Sequence, residues 1–256
     1  IAMAVVSKRP KLNGFVDRVK LVGIELEGGW DTVPAGEHIE KDGSVKFPPP
    51  SGELLVASPN SLPAYKGEIT SKPLPISSIT AWVSRVYPKY VNETCGLHVH
   101  MSFHHRINYS RLMTPKFTTW MVKTVREFAE REKLPDGHPQ WPRVVNPNHY
   151  HCAHLYLAEG QVRMTRKDYE SRGKPYSRYT FVNYCDAQGQ PPRHTIEVRG
   201  LAMMDTADQA TRGIMAVLHS TNEFLSKIRE KERPERVAVR QREGSVQEFR
   251  SYLRAA

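Results

Sequence analysis

The chain has 256 residues, 39% of them hydrophobic and 25% charged, with three cysteines and a formal net charge of +10. That length can bury one sizeable core, and no apolar run approaches the roughly 20 residues of a membrane helix. Three scattered cysteines, Cys95, Cys152 and Cys185, argue against a disulfide framework and a CxxC zinc ribbon, and favour a reducing compartment.

Residues 1–20 read as a basic leader whose opening, "IAMAVVSKRPK", is too short and too weakly apolar for a signal peptide. A strand is predicted over 21–28. Residues 29–65 are rich in Pro, Gly and Ser, which predicts loops and short strands. "KGEITSKPLP" predicts a short extended segment ended by its prolines. Residues 76–87 fit a helix with Ile76, Ile79, Val83 and Val86 on one face.

The strand "TCGLHVHMS" follows. Residues 111–131 predict a clearer helix, because Phe117, Trp120, Met121, Thr124, Val125 and Phe128 recur at helical spacing. Residues 135–149 read as a Pro- and Asn-rich loop. Strands are predicted within 150–200, including "RYTFVNYC" and "HTIEVRG". A long helix is predicted over 206–231, with Ile214, Val217, Leu218, Thr221, Phe224, Leu225 and Ile228 as its buried stripe, ended by Pro234. The domain reading is a leader over 1–20, a catalytic domain over 21–232 and a basic tail over 233–256. Strands and helices mix without a βαβ rhythm, which predicts an α+β fold.

Three of these strands share one design. "VGIELEG" carries Glu25 and Glu27 around Leu26, "CGLHVHMS" carries His98 and His100 around Val99, and "TIEVRG" carries Glu197 and Arg199 around Val198. In a strand, residues i and i+2 share a face roughly 6–7 Å apart, and their neighbours take the other face. Each segment therefore presents two ionisable groups on one side and aliphatics on the other. Any one pair alone is compatible with a solvated strand face. Together they could line one cavity. Neighbouring carboxylates repel unless a cation lies between them, so a divalent metal is the economical partner. Oxygen ligands suit Mg²⁺, and imidazoles among them are compatible with Mn²⁺.

In this order, "GIELEG", "KDGSV", "GEITSKPL", "CGLHVHMS", "YTFVNY" and "TIEVRG" resemble the phage and bacterial amidoligases. These belong with the glutamine synthetase-like carboxylate–amine ligases. The resemblance runs from about Val22 to about Ile228. It implies a curved, largely antiparallel sheet that cups the active site, with helices packed on its outer face. It also implies an ATP- and Mg²⁺-dependent ligase that makes an amide or isopeptide bond through an acyl phosphate. Glu25, Glu27, His98 and Glu197 would be metal ligands. His100, Arg178 and Asn183 would lie by the nucleotide. Arg199 would contact the transferring phosphoryl group or the carboxylate substrate. Glu68 would be a further ligand or the group that takes the amine's proton. Asp42 and Ser44 would sit near the substrate. The expected setting is cytoplasmic: the host cytoplasm, or the virion if phage-encoded.

Other features point elsewhere. Residues 160–180 hold six Lys or Arg against two acids, and residues 226–256 nine against five. Arg163, Arg166, Lys167, Arg172, Lys174 and Arg178, with Tyr169, Tyr176 and Tyr179 between them, could bind nucleic acid or another polyanion. They suggest an alternative, a non-catalytic component of a virion or nucleoprotein assembly that keeps a ligase-like fold. A metal-dependent nuclease is a third reading. "NPNHYHCAHLY" offers His149, His151, Cys152 and His154, but these cannot all face one way on a strand, which disfavours zinc.

Overall fold

The structure, a computed structural model, describes residues 18–51, 62–103, 112, 114–150, 152, 154, 180–187 and 193–228. The chain divides into two compact units: residues 19–221, and a second made of 1–18 with 222–256. Of the second unit, only residues 18 and 222–228 are described. There the Arg18 N–H donates to Asn222 Oδ1 at 2.9 Å, and 222–228 are helical.

The larger unit is α+β. Five strands form one open antiparallel sheet: β1 (Val19–Trp30), β2 (Tyr65–Thr70), β3 (Gly96–Phe103), β4 (Val182–Ala187) and β5 (Arg193–Ala202), in spatial order β2-β1-β3-β5-β4. Among its described residues the helices are α1 (Ile79–Val86), entered through a 3₁₀ turn at Ile76–Ser78, then α2 (Pro115–Arg131), α3 (Gln140–Val145) and α4 (207–221 in this unit). No helix among the described residues is long and apolar enough to cross a membrane.

Alternation along the strands makes one apolar face. Val22, Ile24 and Leu26 of β1, Leu97, Val99 and Met101 of β3, and Ile196, Val198 and Leu201 of β5 are each fully buried. Each such side chain contributes about 1.5–3 kcal/mol. α2 closes over this layer with Phe117, Met121, Val125 and Phe128. Its start is defined by Thr114, whose side chain accepts the Phe117 N–H at 3.2 Å, and by Pro115 in its first turn. α4 lies against the same layer: a Cβ at Gly213 would meet Phe128 at 3.2 Å and Leu201 at 3.5 Å. The Trp120 indole N–H donates to Ser220 Oγ at 2.7 Å, tying α2 to α4.

Two local differences from the sequence reading matter. β1 extends to Trp30, because Gly28, Gly29 and Trp30 pair with Gly67, Lys66 and Tyr65 of β2, while Gly29 also exchanges backbone hydrogen bonds with Tyr90. The segment 135–149 is not all loop; it contains α3, whose Gln140 and Arg143 are buried.

Between β3 and β5 the register slips. Leu97 pairs with Leu201 but Val99 pairs with Val198, so β5 holds one extra residue there. Such a bulge lets Val198 and Leu201, three apart, both face the core. It also frees backbone groups from the ladder, and α3 satisfies them. Gln140 Nε2 donates to Gly200 O at 2.8 Å, the Ala202 N–H donates to Gln140 Oε1 at 2.9 Å, and Arg143 Nη1 donates to Arg199 O at 3.2 Å. Gly200 has no room for a side chain: a Cβ would lie 1.9 Å from Phe181 Cζ.

Candidate metal centre on the polar sheet face

Antiparallel partners directly opposite each other point to the same face. The registers therefore assemble the site. Glu27 is opposite Glu68, Glu25 is opposite His98, His100 is opposite Glu197, and Glu197 is opposite Asn183. Five strands thus contribute polar side chains to one face while their neighbours fill the core on the other.

Glu25 is the hub of the first group. Its Oε2 lies 2.8 Å from His98 Nδ1 and its Oε1 lies 2.9 Å from His100 Nε2. Glu197 completes it, 3.6 Å from His98 Nδ1 and 3.8 Å from His100 Nε2. Asn183 Nδ2 donates to Glu197 Oε2 at 3.0 Å and Arg199 Nη1 donates to Glu197 Oε1 at 2.7 Å. Arg199, two residues along β5 from Glu197, shares this face. Glu25, His98 and Glu197 each offer one ligand atom, and these lie within 4.8 Å of one another.

Glu27, Asp42 and Glu68 form a second group on the same criterion. Glu27 is 3% exposed and its Oε2 accepts the Gly96 N–H. Asp42 arrives on a loop pinned at both sides. Before it, Glu40 and Glu68 exchange backbone hydrogen bonds of 2.9 Å. After it, the Lys46 N–H donates to Thr94 Oγ1 at 3.0 Å, and Asn92 Nδ2 donates to Lys46 O at 2.7 Å. The Ser44 N–H donates to Asp42 Oδ1 at 2.6 Å, closing the turn. His98 links the groups, its Nε2 standing 3.7 Å from Glu27 Oε1.

The electrostatics follow. Burial opposes charge on Glu25, but the hydrogen bonds from His100 and His98 outweigh it and hold its carboxyl far below the usual range. Burial likewise opposes charge on Glu197, and Arg199, His100 and His98 overcome it. His100 is raised well above an ordinary imidazole: burial works against its charge, and contacts with Cys185, Glu25 and Glu197 prevail. Glu68 goes the other way. Burial first, then the charges of Glu25, Asp42 and Glu27, push it up to about 7.

The donor sets fit divalent cations. The first group offers oxygen, nitrogen and oxygen, which admits Mn²⁺ as well as Mg²⁺. The second is all oxygen, which suits Mg²⁺.

Glu25, Glu27, His98, Glu197, His100, Asn183, Arg199, Glu68 and Asp42 therefore converge as the sequence suggested. Ser44 joins through its backbone. Arg178 lies outside the described residues, as do the other basic residues of 163–178 and His151. The zinc reading of 149–154 finds no support among the described residues. Cys152 Sγ is 3.6 Å from His149 Nδ1, but His154 Nε2 donates to Arg143 O at 2.6 Å, and the described residues there form no metal-binding group.

Sequence reasoning missed Cys185, whose Sγ lies 3.4 Å from Glu197 Oε2. The signal was present, since Cys185 is two residues beyond Asn183 on one strand. Gln140 and Arg143 carried no such signal, because their partners are distant backbone atoms.

Compared with family models, with curated proteins and with solved structures, the chain matches none of them.

Proposed function

We propose that the chain is an ATP- and Mg²⁺-dependent carboxylate–amine ligase with a glutamine synthetase-like catalytic fold. The observation that carries this reading is the pair of ligand groups, Glu25–His98–Glu197 and Glu27–Asp42–Glu68, adjacent on one sheet face with Arg199 beside them. The resemblance of the ordered motifs supports it.

Each group would hold one cation, and the cations would neutralise nucleotide phosphate charge and polarise the transferred phosphoryl group. The remaining work falls to the chain. Glu197 holds the Arg199 guanidinium where it can stabilise charge on that phosphoryl group or orient the carboxylate substrate. Asn183 fixes the Glu197 carboxylate from its other oxygen. His100, held by Glu25 through its Nε2, would lie by the nucleotide. Glu68 would either complete the second cation's shell or, if left unligated, accept the amine's proton. The products would be an amide or isopeptide, ADP and phosphate, formed in the cytoplasm where ATP and Mg²⁺ are abundant.

Mg²⁺-dependent ADP release across a panel of carboxylates and amines tests the reading. Release that requires both substrates supports it; a folded protein silent across the panel overturns it. The same two groups could serve a metal-dependent nuclease. Cleavage of DNA or RNA in the absence of ATP would favour that second reading. The polyanion-binding alternative draws on basic segments that lie almost wholly outside the described residues. Its sign would be salt-sensitive nucleic-acid binding that survives loss of the carboxylates.

A further inference from the structure

Arg143 is a buried cation that the chemistry above leaves unused. It is 1% exposed and heads the fully enclosed side chains by size. Its Nη1 donates to Arg199 O at 3.2 Å and its Nη2 to Cys95 O at 3.3 Å. Its Nε has no hydrogen-bond partner among the described residues. Both acceptors are neutral carbonyls. A buried charge with only neutral partners is costly unless an opposite charge reaches it through the interior.

The opposite charge lies across Gly96. At the point a Gly96 Cβ would occupy, three atoms crowd together: His98 Nε2 at 2.8 Å, Glu27 Oε2 at 3.0 Å and Arg143 Nη1 at 3.4 Å. Glycine leaves only hydrogen there, so the guanidinium and the Glu27 carboxylate approach through the backbone of β3. Glu27 is itself 3% exposed, so little solvent screens the pair.

We propose that Arg143 is a resident counter-charge at the Glu27 end of the metal centre, as Arg199 is at the Glu197 end. It is a positioning residue that offsets part of the carboxylate charge and thereby weakens cation binding at the Glu27 group. Cation affinity at oxygen sites scales with ligand charge. A fixed cation under Glu27 keeps the Glu27–Asp42–Glu68 group from holding its ion too tightly to exchange with nucleotide. The inference rests on reading that group as a cation site.

The test is Mn²⁺ binding to the nucleotide-free protein, by titration calorimetry, for wild type, Arg143→Lys and Arg143→Gln. A merely structural residue, once lost, loosens the site and weakens binding. A counter-charge, once lost, tightens it. The expected result is about tenfold tighter binding for Arg143→Gln and near-wild-type binding for Arg143→Lys. If Arg143→Gln is unfolded without metal, Mn²⁺ should restore its native circular dichroism at concentrations below the wild-type dissociation constant. Unchanged or weaker binding in a folded Arg143→Gln, or no recovery with Mn²⁺, overturns the proposal while leaving the metal centre standing. A wild type that binds no Mn²⁺ removes the centre and this inference together.

Discussion

Glu27 and Glu68 stand directly opposite each other on β1 and β2, two carboxylates in a cross-strand pair with Asp42 alongside. Like charges in that position destabilise a sheet. The arrangement makes sense for a face that receives cations.

The first prediction concerns metal and pH. Without cations, Glu68 is pushed up to about 7 from an ordinary 4.5, by burial and by its acidic neighbours. The folded state then binds this proton more tightly than the unfolded state. The stability linked to it is present below about pH 4.5 and is lost as pH rises through about 7. Melts in EDTA should show that decline, and Glu68→Gln should flatten it. Saturating Mg²⁺ or Mn²⁺ should stabilise wild type by about 2.7 kcal/mol at a hundredfold excess over the dissociation constant. Glu68→Gln should gain less.

Glu27→Gln keeps the side chain's shape and its ability to accept the Gly96 N–H, but removes a ligand charge. Nucleotide turnover should fall by a factor on the order of a hundred or more. Stability in urea should fall by about 3 kcal/mol, because the buried Arg143 guanidinium loses the opposite charge beside it. ADP-release assays paired with denaturation curves check both.

Cys185 is half-buried, whereas Cys95 and Cys152 are fully enclosed. Iodoacetamide should therefore label Cys185 ahead of the other two, slowly, because burial raises its thiol. Since Sγ lies against Glu197, Mn²⁺ should slow labelling severalfold by ordering that carboxylate. Peptide mass spectrometry over a time course would show it, and equal rates with and without Mn²⁺ would contradict it.

His149 is buried, and its imidazole is pushed down to about 4 by that burial and by the nearby Arg143 and His154. Its stability contribution is complete above about pH 6.5 and is lost as pH falls toward 4. Wild type should lose stability across that window, and His149→Gln should show a shallower slope in denaturant titrations at stepped pH.

Gly200→Ala would set a methyl 1.9 Å from Phe181 Cζ, and Phe181 is fully buried. A loss of about 3 kcal/mol is expected, readable as a lowered urea midpoint. Because the Arg199 N–H donates to Phe181 O at 2.9 Å, displacing Phe181 disturbs Arg199, and turnover should fall as well.

Most of the site was legible because alternation is local. Glu25 with Glu27, His98 with His100, and Glu197 with Val198 between it and Arg199 announce their two faces from period two alone. The helix stripes of α2 and α4 were equally visible. α3 was not, since prolines and asparagines mask a short helix whose purpose is to supply Gln140 and Arg143 to a distant bulge.

The sequence by itself determined which residue types face away from the core, because side-chain direction in a strand follows from the backbone within two residues. Only the tertiary structure decided which of them meet. Register, the one-residue bulge in β5, the pinned Asp42 loop and the guanidinium beneath Gly96 all depend on hydrogen bonds between segments far apart in the chain. Those pairings are selected by the packing of the whole apolar face, and no short stretch of sequence records them.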